Sequence, residues 1–328
     1  MVLVNKAVLN TVPLPITFLW IQILVAVLLL WNSSLLGLLK LPTLTTQNCS
    51  KVMPLIFINV IGLTLNTLCL QYVDASFYQV ARALVLPFTV ILSRVCLKQT
   101  ISASVLFSCV LVFFGFLLGT VFEGPAIVVS VLGTTLGVAS SVSTAVHAIV
   151  IKTSLGAVNG NTIDLVYYNN VLSLVMLAPV VLFSGEVSKV LDIIELAWTG
   201  ALANESLLTT EDAEKQLFAL VVGGFVTGIF GFLINVAGFF QIKVTSPLSH
   251  MISSAFRGVL QTVLAVLLFN DVISSSRIMS IALVLIGSAL YAWAKNQESN
   301  TTSSTFQSWP FRCCLQPVIV YLKWYRKK

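Results

Sequence analysis

Residues 14–38 read LPITFLWIQILVAVLLLWNSSLLGL, an apolar run without an Asp, Glu, Lys or Arg. A helix of about 20 apolar residues is long enough to cross the hydrocarbon core of a bilayer. The rest of the chain has the same character, because 57% of its 328 residues are hydrophobic and only 9% are charged. A soluble protein carries roughly 25% charged residues, which solvate its surface. The sequence therefore predicts an all-α polytopic membrane protein.

Runs of this kind recur along the chain, and nine of them are long enough to span a membrane. A shorter apolar piece, Met1 to Leu9, precedes them, and we interpret it as the second half of a first helix whose beginning is missing. A signal peptide is the competing interpretation, but a basic start and a small-residue cleavage site are absent. About ten transmembrane helices are therefore predicted. The complete runs lie near 14–38, 52–72, 76–97, 104–121, 126–150, 162–184, 217–241, 246–268 and 277–294.

Basic and acidic residues fall on alternate loops between the runs. If the chain enters the membrane from the cytosol, Lys40, Lys98 and Lys152 lie in cytosolic loops, whereas the acidic 186–215 loop lies in the lumen. An excess of Lys and Arg in the cytosolic loops is the usual topology of membrane proteins. The net charge of +6 therefore indicates topology and not nucleic-acid binding. The same topology predicts that the 296–328 tail, which is rich in Ser and Thr, is cytosolic.

Two stretches that follow apolar runs correspond to each other at an offset of 172 residues (270 minus 98). Residues 98–102 read KQTIS and residues 270–274 read NDVIS, and at the same offset Gly115 corresponds to Gly287. A shift of five helices places two halves in opposite orientations, which is a common transporter architecture with the substrate site between the halves. We therefore expect one transmembrane domain over 1–295, with repeat halves of about 1–122 and 126–295.

Small residues recur at a spacing that lets helices pack closely in lipid. The pairs are Gly115 and Gly119, Gly133 and Gly137, and Gly224 and Gly228. Ordinary helix contacts are the expected role of most of them. A polar stripe, Ser140 to Thr144, follows the second pair, and it either lines a cavity or bonds to its own backbone.

Cationic residues inside the apolar runs are the most informative polar residues of the chain. Arg257 lies well inside the run 246–268, Arg82 lies about a third of the way into the run 76–97, and Lys6 lies in the first short piece. Each such charge costs roughly 2.5 to 3.5 kcal/mol on insertion scales, so it faces water, a partner or a ligand. Few acids are placed to neutralise these cations, which indicates an anionic solute. Structural pairing or snorkelling to the interface is the alternative.

A second polar cluster, Tyr167-Tyr168-Asn169-Asn170, lies inside a predicted membrane helix. Two adjacent amides in lipid are expensive unless both are hydrogen-bonded. Consecutive helical residues point about 100° apart, so one amide can face a cavity while the other bonds to a neighbouring helix. An Asn side chain both donates and accepts, which suits a nucleobase edge or sugar hydroxyls. Ligand contact and structural bonding both stay open from the residues alone.

Three motifs carry a resemblance to a known family. They are Leu3-Val4-Asn5-Lys6, Tyr167-Tyr168-Asn169-Asn170, and QIKVTSPLSH from Gln241 to His250. On these motifs the chain resembles the nucleotide-sugar transporters of the drug/metabolite transporter superfamily over about residues 3–294. The third motif is most similar to the Golgi GDP-fucose branch of that family.

The resemblance implies ten helices in a 5+5 inverted repeat, residence in the Golgi or endoplasmic reticulum membrane, and antiport. A GDP-sugar, with GDP-fucose the best match, would enter the lumen as GMP leaves. The family motif FYNN falls at Tyr167 to Asn170 and implies contact with the guanine nucleotide. The GALNK motif of GDP-mannose transporters falls at Ser253 to Arg257, where only the final cation is kept, as Arg for Lys. This departure lowers the expectation of GDP-mannose.

The resulting hypothesis assigns a role to each candidate residue. Arg257 neutralises the diphosphate, helped by Lys6 or Arg82, because a guanidinium fork binds phosphate oxygens bidentately. Asn169 and Asn170 read the base or the ribose with Tyr168 beside them, and His250 and Ser253 line the sugar end. The candidate substrate-binding residues are Lys6, Arg82, Tyr168, Asn169, Asn170, His250, Ser253 and Arg257.

Two other functions stay open. A sugar-phosphate or triose-phosphate-type translocator shares the need for membrane cations but not for a base-reading amide pair. A membrane-embedded transferase is the second, but such enzymes need carboxylates or a metal near the interface, and the two histidines lie alone. We expect no enzymatic activity, no cofactor and no metal. The expected partners are a GDP-sugar, GMP and membrane lipid without nucleic acid, and a homodimer stays open.

Overall fold

The computed structural model describes residues 1–97, 101–121, 131–158, 161–199, 210–245 and 275–302, and the single residues 253, 257, 258, 260, 264 and 267. The regular elements of this part are helices, with no β-strand among them. They are α1 (Val2–Thr11), α2 (Pro15–Leu35), α3 (Thr46–Tyr72), α4 (Ala75–Ala83), α5 (Val85–Leu97), α6 (Ala103–Val121), α7 (Val131–Ser154), a 3-10 turn (Leu155–Val158), α8 (Thr162–Phe183), α9 (Glu186–Thr199), α10 (Thr210–Val244) and α11 (Ser275–Thr302).

Several of these helices have the length and composition of membrane spans. Within the described ranges, five helical segments are long and apolar enough to cross a bilayer, and two shorter apolar ones lie at 103–119 and 278–294. Large apolar side chains such as Phe57, Phe107 and Phe225 lie exposed on the outside of the bundle, where lipid can cover them. The predicted all-α polytopic membrane protein is therefore confirmed. The five longer segments are Pro15–Leu35, Thr46–Tyr72, Val131–Ile151, Thr162–Phe183 and Glu211–Val244.

The helix bounds differ from the apolar runs in two instructive places. The 186–215 segment was predicted to be a loop, and this is wrong for both of its ends, because α9 covers 186–199 and α10 begins at Thr210. The run 76–97 is two helices, α4 and α5, separated by Leu84. Hydropathy marks only the lipid-spanning part of a helix, so it misses amphipathic helices and local breaks.

The pair α6 and α11 packs through two glycines that occupy equivalent positions in the two helices. A Cβ atom on Gly115 of α6 would lie 2.9 Å from Val284 Cγ2, and one on Gly287 of α11 would lie 2.7 Å from Val112 Cγ2. The same offset relates both contacts, since 287 minus 115 and 284 minus 112 are each 172. Gly115 meets Val284, whereas Val112, which comes earlier on α6, meets Gly287, which comes later on α11. The two helices therefore run antiparallel. Each contact thus has a counterpart in which α6 and α11 exchange roles.

Backbone contacts of the same pair repeat this reciprocity. A Cβ on Gly115 would lie 3.1 Å from the Ser280 carbonyl oxygen, and one on Gly287 would lie 3.1 Å from that of Ser108. The serine side chains differ, because Ser280 Oγ donates to the Gly115 carbonyl across the interface. Ser108 Oγ instead donates to the carbonyl of Ser104 in its own helix, at 2.8 Å.

Glycines of the other small-residue pairs also receive side chains from neighbouring helices. A Cβ on Gly137 of α7 would lie 2.8 Å from Ala81 Cβ, and one on Gly224 of α10 would lie 2.8 Å from Ile21 Cγ2. One on Gly228 would lie 2.8 Å from Val25 Cβ. The expected role of these glycines in close helix packing is confirmed at these positions.

Apolar side chains fill the core between α2, α3, α7, α8 and α10, and a few polar pairs join helices within it. Gln22 Nε2 donates to Thr227 Oγ1 at 2.7 Å and to Asn5 Oδ1 at 3.1 Å, which joins α2 to α10 and α1. Asn59 Nδ2 donates to Ser173 Oγ at 3.0 Å and joins α3 to α8. Such bonds contribute on average about 0.6 kcal/mol each in a membrane protein. The largest fully buried apolar side chains here include Leu30, Leu55, Ile56, Leu165, Leu177 and Phe239.

A carboxylate from α9 holds the beginning of α2. Glu186 is only 7% exposed, and its two oxygens accept hydrogen bonds from the backbone N–H groups of Ile16 at 3.2 Å and Thr17 at 2.7 Å. These amides belong to the first turn of α2, where helical N–H groups have no partner in their own helix. The positive end of the helix dipole also stabilises the negative charge. Glu186 therefore anchors the start of α9 on α2.

Candidate substrate site

Arg82 lies in the last turn of α4, just before the break at Leu84. It is half-buried, and its Nη1 donates to the hydroxyl of Tyr78 at 3.5 Å. Tyr78 and Arg82 are four residues apart, so they share one face of α4. In the ranges that the structure covers, no carboxylate lies within 4.0 Å of the Arg82 guanidinium.

The Tyr78 hydroxyl is itself held by a neighbouring helix. It donates to Asn66 Oδ1 of α3 at 2.9 Å. The Asn66 amide nitrogen donates to the Gly62 carbonyl at 2.7 Å and to Thr144 Oγ1 of α7 at 3.3 Å. One chain of hydrogen bonds thus connects Arg82 through α3 to α7. Asn66 and Tyr78 were not among the predicted site residues, although the i, i+4 spacing of Tyr78 and Arg82 is visible in the sequence.

The polar stripe of α7 is used for helix contacts. Ser140 Oγ donates to the Gly137 carbonyl at 2.9 Å and Thr144 Oγ1 donates to that of Ser140 at 2.8 Å, both within α7. Ser141 Oγ donates to the Ala81 carbonyl of α4 at 2.8 Å. The stripe therefore divides between bonds to its own backbone and bonds that fix the end of α4 on α7.

Lys6 is buried against the end of α3. Only 9% of it is exposed, and its Nζ donates to the carbonyls of Leu70 at 3.0 Å and Gln71 at 3.4 Å. These carbonyls belong to the last turn of α3, where the helix dipole attracts a positive charge. The ammonium thus lies about one turn beyond Asn66. The structure places Lys6 and Arg82 near the same end of α3.

The tyrosine and asparagine motif lies on α8, buried against α2 and α3. Tyr168 donates its hydroxyl to the Thr43 carbonyl at 2.8 Å, and its ring meets that of Tyr167 edge to face at 6.3 Å. Asn170 Nδ2 donates to the Val166 carbonyl of its own helix at 2.8 Å. Asn169 is only 1% exposed, and in the described structure its Oδ1 has no hydrogen-bond partner.

The two asparagines therefore differ, although Asn170 bonds to its own helix where the sequence predicted a bond to a neighbouring helix. An unsatisfied buried acceptor costs about 1–3 kcal/mol, so Asn169 is the one poorly explained by packing. Its carbonyl oxygen can accept an N–H or O–H, such as those on a guanine edge or a ribose. Ser173, one turn further along α8, bonds to Asn59, which lies seven residues before Asn66 on α3. Asn59 and Asn66 lie about 10 Å apart along α3, so Ser173 and the Arg82 network contact α3 at different levels.

The remaining candidates are only partly covered by the structure. Ser253 and Arg257 are helical and half-buried. His250 lies outside the described residues. The other histidine, His147, packs its ring edge-on against Phe239 at 6.2 Å.

Comparison with known proteins decides the family. The sequence profile of the Triose-phosphate Transporter family matches residues 1–292. The chain belongs to that family. This transporter family thus covers both halves of the chain, and it favours transport over the membrane transferase considered from the sequence.

The chain is also similar to individual proteins that carry a more specific name. It is 35% identical over 249 residues to GDP-fucose transporter 1 of Dictyostelium discoideum, covering 75% of this chain and 61% of that protein. It is 34% identical over 313 residues to GDP-fucose transporter 1 of Mus musculus, covering 92% and 81%. Similarity to "GDP-fucose transporter, Golgi" of Drosophila melanogaster is 32% over 310 residues, covering 90% and 86%. The resemblance inferred from the three motifs is confirmed.

A solved crystal structure supports the fold. Its chain superposes on this transporter with a TM-score of 0.53 at 12% sequence identity, covering 89% of this chain and 94% of that chain. At this identity the similarity concerns the fold alone.

Proposed function

We propose that this transporter is a nucleotide-sugar antiporter that moves GDP-fucose into the Golgi lumen in exchange for GMP. The observation that carries the proposal is the 30% or higher identity to several GDP-fucose transporters over most of the chain. The Arg82 guanidinium supports it, because a membrane cation without a nearby carboxylate in the described structure suits an anionic cargo.

The architecture that we propose is ten helices in a 5+5 inverted repeat. The reciprocal packing of Gly115 and Gly287 supports it, because antiparallel helices related by one offset fit a two-fold axis in the membrane plane. In such transporters the substrate site lies at the interface of the halves near the middle of the bilayer. The halves would meet where α3 packs against α7 and α8. The proposed topology keeps the C-terminus in the cytosol.

The substrate would lie with its charged and neutral parts in different surroundings. Arg257 and Arg82 bind the diphosphate, because guanidinium forks match phosphate oxygens, and Lys6 adds positive charge at the end of α3. Asn169 accepts from the base or ribose, with Tyr168 and Asn170 beside it. His250 and Ser253 contact the sugar. Exchange follows if the empty carrier switches poorly between its two open conformations, and if binding of either GDP-fucose or GMP allows it to switch.

The test is uptake of labelled GDP-fucose into liposomes that contain the purified protein and are preloaded with GMP. We expect saturable uptake of GDP-fucose that depends on internal GMP. Labelled UDP- or CMP-sugars should not be taken up in its place. Arg82→Gln should raise KM at least tenfold, since a hydrogen bond to a charged group contributes about 1.5–3 kcal/mol. The matched control is Arg94→Gln, because Arg94 is an exposed arginine near the end of α5. Equal uptake by both variants would remove Arg82 from the site.

A sugar-phosphate translocator remains the second candidate, because the family profile carries the name of triose-phosphate transporters. It would use the same cations but not the amide pair on α8. Competition separates the two functions. GMP should inhibit uptake by a nucleotide-sugar carrier far better than inorganic phosphate does, whereas a triose-phosphate carrier should respond to phosphate and ignore the base.

A further inference from the structure

We propose that Tyr78 and Asn66 are positioning residues, which hold the Arg82 guanidinium in the orientation that binds the phosphate groups of the substrate. The inference rests on the proposed function, since it assumes that Arg82 meets a phosphate. It adds two residues that neither the motifs nor the buried cations indicate. The evidence is the order of donors and acceptors along the hydrogen-bond chain.

The direction of each bond in the chain is determined by the groups at its ends. Carbonyl and hydroxyl oxygens surround the Asn66 nitrogen, which therefore donates to Gly62 and Thr144. Asn66 Oδ1 must then be the acceptor for the Tyr78 hydroxyl. With its proton used on Asn66, the Tyr78 oxygen presents only lone pairs to Arg82, which can only donate. Bonds aligned in this way polarise one another.

The guanidinium keeps most of its binding capacity in this arrangement. Arg has five N–H donors, and the described structure shows one bond of 3.5 Å, to Tyr78. The contact restrains one edge of the group without neutralising its charge, because a phenol is uncharged. A carboxylate in the same place would compete with phosphate for the cation. A neutral tyrosine instead orients the arginine and leaves its charge for the ligand.

The end of α4 is fixed in the same place by α7. Ser141 donates to the Ala81 carbonyl at 2.8 Å, and Gly137 lets the Ala81 side chain approach α7 closely. Arg82 therefore follows an anchored residue and precedes the helix break at Leu84. Both the backbone and the side chain of Arg82 are thus positioned.

Tyr78→Phe removes only the hydroxyl and keeps a ring that is 5% exposed within an apolar cluster. We expect KM for GDP-fucose, and Kd for GMP, to rise about tenfold, with kcat changed less than twofold. Asn66→Leu should give a similar rise. Tyr72→Phe is the matched control, because Tyr72 is 51% exposed at the end of α3 and should behave as the wild type.

A double-mutant cycle separates positioning from simple packing. In the Arg82→Gln background, Tyr78→Phe should raise KM no further, because the group that it positions is gone. An equal rise in both backgrounds would overturn the proposal, and so would an unchanged KM with a lowered melting temperature. If the wild type exchanges no GDP-fucose, the proposed function fails, and the same cycle is run on the binding of inorganic phosphate and glucose 6-phosphate. Absence of binding to every phosphate-bearing probe would overturn both proposals.

Discussion

Substituting the two equivalent glycines of α6 and α11 should destabilise the protein by equal amounts. A Cβ on Gly115 would lie 2.9 Å from Val284 Cγ2 and 3.1 Å from both Val284 N and the Ser280 carbonyl oxygen. Optimal separations between nonbonded carbon atoms are about 3.5–4.0 Å, and two of the three contacts are backbone atoms that cannot rotate away. The helices must therefore separate by several tenths of an ångström to admit a methyl group.

The magnitude follows from two opposing effects. Overpacking of this kind costs about 1–3 kcal/mol, whereas replacing Gly by Ala inside a helix regains about 1 kcal/mol. Gly115→Ala should therefore lower the free energy of unfolding by about 1 kcal/mol. Gly287→Ala should do the same, because its Cβ would meet Val112 Cγ2 at 2.7 Å and the Ser108 carbonyl oxygen at 3.1 Å.

The measurement is reversible unfolding in mixed micelles, followed by tryptophan fluorescence. Gly156→Ala is the matched control, since a Cβ there would meet nothing within 4 Å, and its stability should equal or exceed that of the wild type. Two outcomes would refute the reasoning. One is a Gly115→Ala variant as stable as the control. The other is a large loss of stability in only one of the two equivalent variants.

Two further substitutions test the anchor of α2 and the amide motif. Glu186→Gln should lower the free energy of unfolding by about 1–2 kcal/mol, because it removes the negative charge at the beginning of α2, whereas Glu214→Gln, at an exposed position, should have no effect in the same assay. Asn169→Ala should weaken GMP binding about tenfold without changing that of inorganic phosphate, measured by thermal shift, because only the nucleotide offers a base or ribose to this amide. A parallel loss for both ligands would contradict a base-reading role.

Much of the fold follows from the sequence because membrane spans are set by local hydropathy. The runs 14–38, 104–121 and 162–184 correspond to α2, α6 and α8 within a few residues of their ends. The α9 helix was missed because an amphipathic helix of 14 residues contains no apolar run of spanning length. The break at Leu84 was missed because the residues on both sides are apolar, so hydropathy continues across it.

The candidate site was predicted less completely. Charge inside an apolar run identified Arg82 and Lys6, since a cation in such a run is visible in the sequence before its partners are known. Their surroundings depend on residues far away along the chain. Lys6 bonds to carbonyls of α3, and Arg82 is linked through Asn66 to α7, at sequence separations that no local pattern reports.

Sequence alone determined that this chain lies in a membrane, roughly where its helices cross it, and which polar residues need an explanation there. Those properties depend on the free energy of transferring each segment from water to lipid, and that energy is a sum over neighbouring residues. Tertiary structure decided which of the polar groups satisfy one another. Gln22 of α2 bonds to Thr227 of α10, whereas Asn169 keeps a buried oxygen unsatisfied. Hydrogen bonds need partners within about 3 Å, and only the packing of the helices determines which groups come that close.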